Sequence, residues 1–331
     1  MKQHYIGAID IGGTKIAALV ADRNGPLARI VQPTVKTGPE RALAEQAVAL
    51  LDEACRQAGV ERAEVRSIGV GSCGPFVREG GMLGLSTPNI CGGIARGSDL
   101  PNDWTVIPME RVLREHFDHV RMENDCVAAL VAERTFGAVK DEPDCAYVTW
   151  STGIGFGLCV DGQILHGKHG NAGHAGHMLL SERDALCGCG NRGDVEALTS
   201  GRNLGNRLQM SAADLFRSAR GGNTAAHAAA VEAAQWFGRA LYNIVATLDT
   251  RIFVIGGTVW VNHGEWLAPI VQQEISSRLP ALTQDVTLVL AAVGPLVADV
   301  GALCLVLPQE WIAPWRSSEP WKKLEAAQPV P

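Results

Sequence analysis

Two stretches of this chain repeat one plan, and that repetition limits the folds open to it more than any other feature. Residues 8–27 read AIDIGGTKIAALVADRNGPL and residues 148–165 read VTWSTGIGFGLCVDGQIL. Each is a β-rich run, a tip of Gly and Thr, a second β-run, and an Asp-bearing turn into a third. Strand, turn, strand, turn, strand is a meander. A chain that builds one twice, with helices and single strands after each, reads as a duplicated α/β fold. Its 331 residues suffice for two medium domains.

The remaining elements follow from periodicity and punctuation. Strands are predicted at Tyr5–Asp10, Ile16–Asp22, Leu27–Val31, Val65–Val70 and His119–Met122, and helices at Glu40–Gly59, Met109–Phe117 and Cys126–Phe136. The second half gives strands at Ala146–Trp150, Phe156–Val160, Gln163–Leu165, Arg251–Ile255 and Val286–Ala291. Its helices are Thr224–Leu248, Gly264–Leu279 and Leu296–Leu307. Gly80–Asn102 reads as loop, and the Pro- and Trp-bearing end, 311–331, as an irregular tail.

Composition removes several function classes. A formal charge of −6 argues against a general nucleic-acid or anionic-membrane surface. No apolar run approaches a membrane span, and Met1–Thr14 lacks the basic-then-apolar pattern of a signal peptide, so a cytoplasmic protein is expected. Nine cysteines, odd in number and mostly isolated in apolar segments, suit thiols in a reducing compartment.

Four features carry chemistry. The tips Gly12-Gly13-Thr14 and Ser151-Thr152-Gly153 can cradle phosphates, since tight Gly turns present N–H groups as an anion nest and Thr adds a donor. One tip alone would be a plain β-turn, but the repetition, with Asp10 beside the first to hold Mg²⁺ through water, favours phosphate binding. Asp125 heads a predicted helix after Asn124, either as an N-cap or as a general base kept ionised by the helix N-terminus. Gly256-Gly257 after the strand RIFVI is a turn on which a nucleotide's adenosine can lie. Residues 170–201 hold seven glycines, His174, His177, Cys187 and Cys189, the composition of a loop that brings backbone close to a ligand. With Asp194 downstream, His177, Cys187 and Cys189 are candidate zinc ligands; the alternative is two incidental thiols.

Six ordered motifs, DIGGTK, ENDCVAA, STGIGFG, GHAGH, CGCGNRGDVE and VIGG, resemble the ROK family of sugar kinases and repressors over about residues 5–307. The resemblance implies an actin/hexokinase-like (ribonuclease H-like) fold of two lobes with an interlobe cleft. A small lobe, 1–123, would be completed by the C-terminal helix 296–310, and a large lobe would span 124–295. It implies an ATP- and Mg²⁺-dependent kinase acting on the 6-hydroxyl of a hexose, glucose or a close analogue, with Asp125 as base. Gly12, Gly13, Thr14 and Lys15 would form the first phosphate loop, and Thr152 and Gly153 the second, with Gly256 and Gly257 at the nucleotide. Gly74, Asn89, Asn124, His174, His177 and Glu196 would line the sugar, and a structural Zn²⁺ would bind His177, Cys187, Cys189 and Asp194. Partners would be the sugar and ATP, with no nucleic acid or membrane, and many relatives form homodimers. Two positions depart from the family. His174 stands where the family usually has Glu, which opens an amino sugar (N-acetylmannosamine or kanosamine type) or a cyclitol as substrate. Asp194 stands where the zinc loop usually has its last Cys. A sugar-responsive regulator is the reading from another class, disfavoured because Asp10 leaves no room before it for a helix-turn-helix domain.

Overall fold

The computed structural model describes residues 4–94 and 100–325, which divide into two units. The first comprises 1–140, 166–171 and 293–331, and the second 141–165 and 172–292. The sequence reading ended its first lobe at 123; the unit runs on to 140 because the helix after that strand packs inside it.

In the first unit, β1 (Tyr5–Ile11), β2 (Lys15–Asp22) and β3 (Gly25–Pro33) form the meander. Helix α1 (Ala42–Ala58) covers one face of it, burying Leu43, Ala47, Leu50, Leu51 and Ala54. Strand β4 (Val65–Ser72) pairs parallel to β1. A small hairpin, β5 (Phe76–Glu79) and β6 (Met82–Leu85), occupies part of the predicted loop. Then come α2 (Met109–Leu113), β7 (His119–Asn124), parallel to β4, and α3 (Asp125–Thr135). The sheet order is β3-β2-β1-β4-β7.

The second unit repeats the plan. Strands β8 (Cys145–Trp150), β9 (Ile154–Val160) and β10 (Gln163–Ile164) form its meander. Helices α4 (Val195–Thr199), α5 (Gly201–Leu208) and α6 (Ala212–Arg220) follow. Helix α7 (Thr224–Leu248) leads to β11 (Ile252–Gly256), α8 (Thr258–Ser276), α9 (Pro280–Thr283) and β12 (Thr287–Leu290). The sheet order is β10-β9-β8-β11-β12, with β8, β11 and β12 parallel. Helix α8 begins six residues before the predicted Gly264, because Gly257 itself caps it and both Gly264 and Pro269 are carried inside. No helix of the described residues is long and apolar enough to cross a membrane.

The chain returns to the first unit with α10 (Val297–Cys304), which packs on α3, β1 and β4. The predicted irregular tail is corrected here: its described part forms α11 (Gln309–Ser318) and α12 (Lys322–Glu325). Three prolines hid a helical spacing of tryptophans. Trp311, Trp315 and Trp321 are buried, join α10 in one core, and set Trp321 4.9 Å from the Phe136 ring. Burying that much aromatic surface outweighs the backbone hydrogen bond lost at Pro314. Trp321→Ala is expected to lower stability by about 3–5 kcal/mol, read as a fall in the urea midpoint; an unchanged midpoint would show that the segment is dispensable.

Candidate functional site

Parallel pairing brings the first unit's predicted residues to one end of its sheet. Register places Asp10, Gly71 and Glu123 in one row, and Ile11, Ser72 and Asn124 in the next. Asp10, the turn holding Gly74, and Asn124–Asp125 therefore leave the carboxyl ends of neighbouring parallel strands, where open α/β sheets bind ligands. The β1–β2 tip closes by Gly12 N–H to Lys15 O at 3.0 Å, and the Thr34 hydroxyl donates to Gly12 O at 2.7 Å. Asn89 lies against this tip, its Cβ 3.0 Å from where a side chain on Gly13 would begin.

The cap of α3 is Asn124, whose Oδ1 accepts from Cys126 N at 2.9 Å. Asp125 is the first helical residue, its Oδ1 also accepting from Cys126 N at 2.8 Å. The helix therefore has its cap without Asp125, which weakens the structural alternative for that residue.

Asp10 has no hydrogen-bond donor among the described residues. Burial, with the carboxylates of Asp299 and Asp125 facing it, pushes its carboxyl up to about 8, against the pull of Arg29 and Lys15. A hard cation bound through oxygen would relieve that arrangement, and Mg²⁺ fits the donor chemistry.

In the second unit the β8–β9 tip closes by Ser151 N–H to Gly153 O at 3.0 Å. It docks on the start of α5, where Gly201 N–H donates to Ser151 O at 2.9 Å and Arg202 N–H to Thr152 O at 3.3 Å. Glu196 on α4 is bound to the same tip, its Oε2 accepting from Ile154 N at 3.0 Å. His174 and His177 share one 3₁₀ turn with ring centroids 6.3 Å apart.

His177, Cys187, Cys189 and Asp194 come together with their donor atoms all within 4.8 Å of one another. His177 Nδ1 is 3.2 Å from Asp194 Oδ2 and 3.7 Å from Cys187 Sγ, and Cys189 Sγ is 3.5 Å from Asp194 Oδ2. A tetrahedral ion with donors at 2.0–2.3 Å sets neighbouring donors about 3.3–3.8 Å apart, so the four residues fit zinc. Asp194 divides its oxygens: Oδ1 caps α4 through Ala197 N at 2.7 Å while Oδ2 faces the cluster. Burial pushes the Cys187 and Cys189 thiols up, so a cation is what would hold them as thiolates.

Gly257, with φ 87°, turns β11 into α8, and a Cβ there would lie 2.4 Å from Trp150 O. Only glycine fits. The sequence reading missed what lies beside this turn: a cavity of about 500 Å³ lined by Ala213, Arg217 and Arg220 of α6 and Asn262 and His263 of α8. The spacing 213, 217, 220 is one helix face, a periodicity that the sequence carries. Asn262 donates to Thr258 O at 2.7 Å, and His263 stacks on Phe216 at 4.9 Å. Burial and Arg220 hold the His263 imidazole below its ordinary pKa.

The sequence model described as ROK family matches residues 6–309. The chain belongs to the ROK family. Its fold is the duplicated actin/hexokinase-like α/β fold expected from the sequence. The N-acetylmannosamine kinase of Salmonella newport (strain SL254) is 34% identical over 264 residues, 78% of this chain and 84% of the relative. The ROK hexokinase of Thermus thermophilus superposes with a TM-score of 0.74 at 33% identity, covering 91% of this chain and 97% of that one. The Streptomyces griseus ROK family glucokinase, solved with glucose and AMPPNP, gives 0.66 at 25% identity, covering 90% and 97%.

Chelator-free protein is expected to carry about one zinc per chain by elemental analysis, and Asp194→Ala to lose it together with the α4 cap. Metal-free wild-type protein would contradict the assignment.

Proposed function

We propose that this chain is an ATP-dependent sugar kinase whose acceptor is the 6-hydroxyl of an N-acetylmannosamine-type amino sugar. The observation that carries the kinase reading is the convergence of Asp10, the Gly12–Thr14 tip and Asp125 at one sheet end. Relatives 34% identical named N-acetylmannosamine kinase support the amino sugar, as does His174 in place of the usual Glu. A plain hexose is the second reading, supported by the likeness to the Thermus thermophilus hexokinase.

Asp125 accepts the proton of the sugar's 6-hydroxyl as that oxygen bonds to the γ-phosphorus. The bond from the γ-phosphorus to the bridging oxygen breaks, and ADP leaves with its electron pair. In the first unit Gly12, Gly13, Thr14 and Lys15 take phosphate oxygens, while Gly74, Asn89 and Asn124 orient the sugar. In the second unit Thr152 and Gly153 take phosphate, and His174, His177 and Glu196 meet sugar hydroxyls. The donor's ribose and base lie from Gly256-Gly257 into the cavity between α6 and α8, where a guanidinium of Arg217 or Arg220 can stack on a purine. Asp10 would hold Mg²⁺ through water, and the ion would supply neutralisation of phosphate charge. His177, Cys187, Cys189 and Asp194 would hold zinc, which would brace the turn carrying His174 against the start of α4, where Glu196 lies.

Asp125→Asn is expected to lower kcat by about 10³-fold or more while sugar binding by calorimetry changes little; turnover near wild type would sink the base assignment. His174→Glu is expected to move the kcat/KM ratio about ten-fold or more from N-acetylmannosamine toward glucose, a shift of the size one recognition hydrogen bond carries. An unmoved ratio would take His174 out of substrate selection.

A further inference from the structure

Helix α4 touches two parts of the second unit that the sequence sets far apart, the metal-type cluster and the β8–β9 tip. At its start Asp194 Oδ1 caps the helix through Ala197 N at 2.7 Å, while Oδ2 faces His177 and Cys189. Two residues on, the Glu196 carboxylate lies between cluster and tip. Its Oε1 is 3.5 Å from Cys187 Sγ, and its Oε2 accepts from Ile154 N at 3.0 Å. The approach to the tip is close, since a Cβ on Gly153 would lie 2.7 Å from Oε2. The main chain of Glu196 is held too, its O accepting from Ser200 N at 3.0 Å and from Asn203 Nδ2 at 2.9 Å.

The far end of α4 grips the same tip. Thr199 O accepts at 2.9 Å from the indole Nε1 of Trp150, the residue before the tip, and Trp150 stacks on Phe237 of α7 at 4.3 Å. Gly201 N then donates to Ser151 O, and Arg202 N to Thr152 O. Asp194, Thr199, Ser200 and Trp150 are buried, so water does not compete for these bonds. The contacts at the far end use main-chain atoms of α4 and α5. The contact at the start uses a side chain that also touches the cluster.

We propose that α4 couples the metal cluster to the phosphate tip, with Glu196 as the positioning residue, so that zinc and the donor's phosphates bind cooperatively. A metal holding Asp194 Oδ2 and Cys187 Sγ would fix both the cap of α4 and the sulfur beside Glu196, and so would hold the carboxylate on Ile154 N–H. Without the metal, the tip would be ordered only as nucleotide arrives, at a cost in affinity. This role is additional to the sugar contact proposed for Glu196, and the inference rests on the kinase reading and on the zinc assignment.

The test is AMPPNP binding to the full chain by calorimetry, with Mg²⁺ and without sugar, alongside zinc content and thermal melting. Removing zinc from wild-type protein is expected to weaken AMPPNP about ten-fold, the size of one charge-assisted hydrogen bond, and AMPPNP should tighten zinc by the same factor. Zinc-loaded Glu196→Ala should bind AMPPNP about ten-fold more weakly than wild type, whereas Glu196→Gln, whose amide oxygen can still accept from Ile154 N–H, should bind it near the wild-type value. A role confined to the sugar would leave all these affinities alike. Equal AMPPNP affinity with and without zinc, in protein that melts cooperatively in both forms, overturns the inference and leaves the kinase reading intact. If the zinc-free chain does not fold, the two variants decide: wild-type affinity in Glu196→Ala, or Glu196→Gln as weak as Glu196→Ala, overturns it. Wild-type protein that binds AMPPNP but holds no zinc also overturns the inference alone, and zinc-loaded wild-type protein that binds no AMPPNP overturns both.

Discussion

Backbone pairing between parallel strands is the constraint on which the rest depends. In the first unit β1, β4 and β7 run side by side, and their hydrogen bonds fix which residues share a row. Asp10 and Asn124 reach the same end of the sheet only because that register holds. A slip of one residue would turn Asp10 to the face covered by α1, against Leu43, Ala47 and Leu51, and would turn Ile9 and Ile11 out of that core. The second unit applies the same rule: β8 and β11 run parallel, and their carboxyl ends lead into the Thr152 tip and the Gly256-Gly257 turn.

Much of this was legible from sequence because it is written in local patterns. The two meanders were readable as β-rich runs punctuated by Gly, Thr and Asp, and the predicted Thr224–Leu248 is the observed α7 residue for residue. The zinc candidates were readable because His, Cys and Asp gathered in one Gly-rich loop, and the structure brings their donor atoms together. What escaped had tertiary causes. Three prolines masked the helical spacing of Trp311 and Trp315, whose burial against α10 no local rule reveals. The cavity beside α8 needed α6, whose short amphipathic run at 212–220 is polar enough to pass for loop. The two tasks of Asp194 could not be seen either, since a capping oxygen and a cluster-facing oxygen look alike in sequence.

A common electrostatic logic joins the two candidate cation sites. The first crowds Asp10 with the carboxylates of Asp299 and Asp125, and the second gathers the zinc-type donors His177, Cys187, Cys189 and Asp194. Crowding like charges out of water is costly unless a cation completes the group. The first cluster adjoins the tip assigned to phosphate and the second braces the loop assigned to the sugar. On the proposed function, the first cation would serve turnover and the second architecture.

The proposed chemistry is phosphoryl transfer to the 6-hydroxyl of an amino sugar. Its most direct test is product analysis: purified chain, ATP and Mg²⁺ with N-acetylmannosamine or glucose, followed by coupled ADP release and phosphorus NMR. A 6-phosphate is expected, formed with a higher kcat/KM on N-acetylmannosamine than on glucose. Absence of ADP release with every sugar offered would contradict the kinase assignment, and faster turnover of glucose would overturn the amino-sugar assignment.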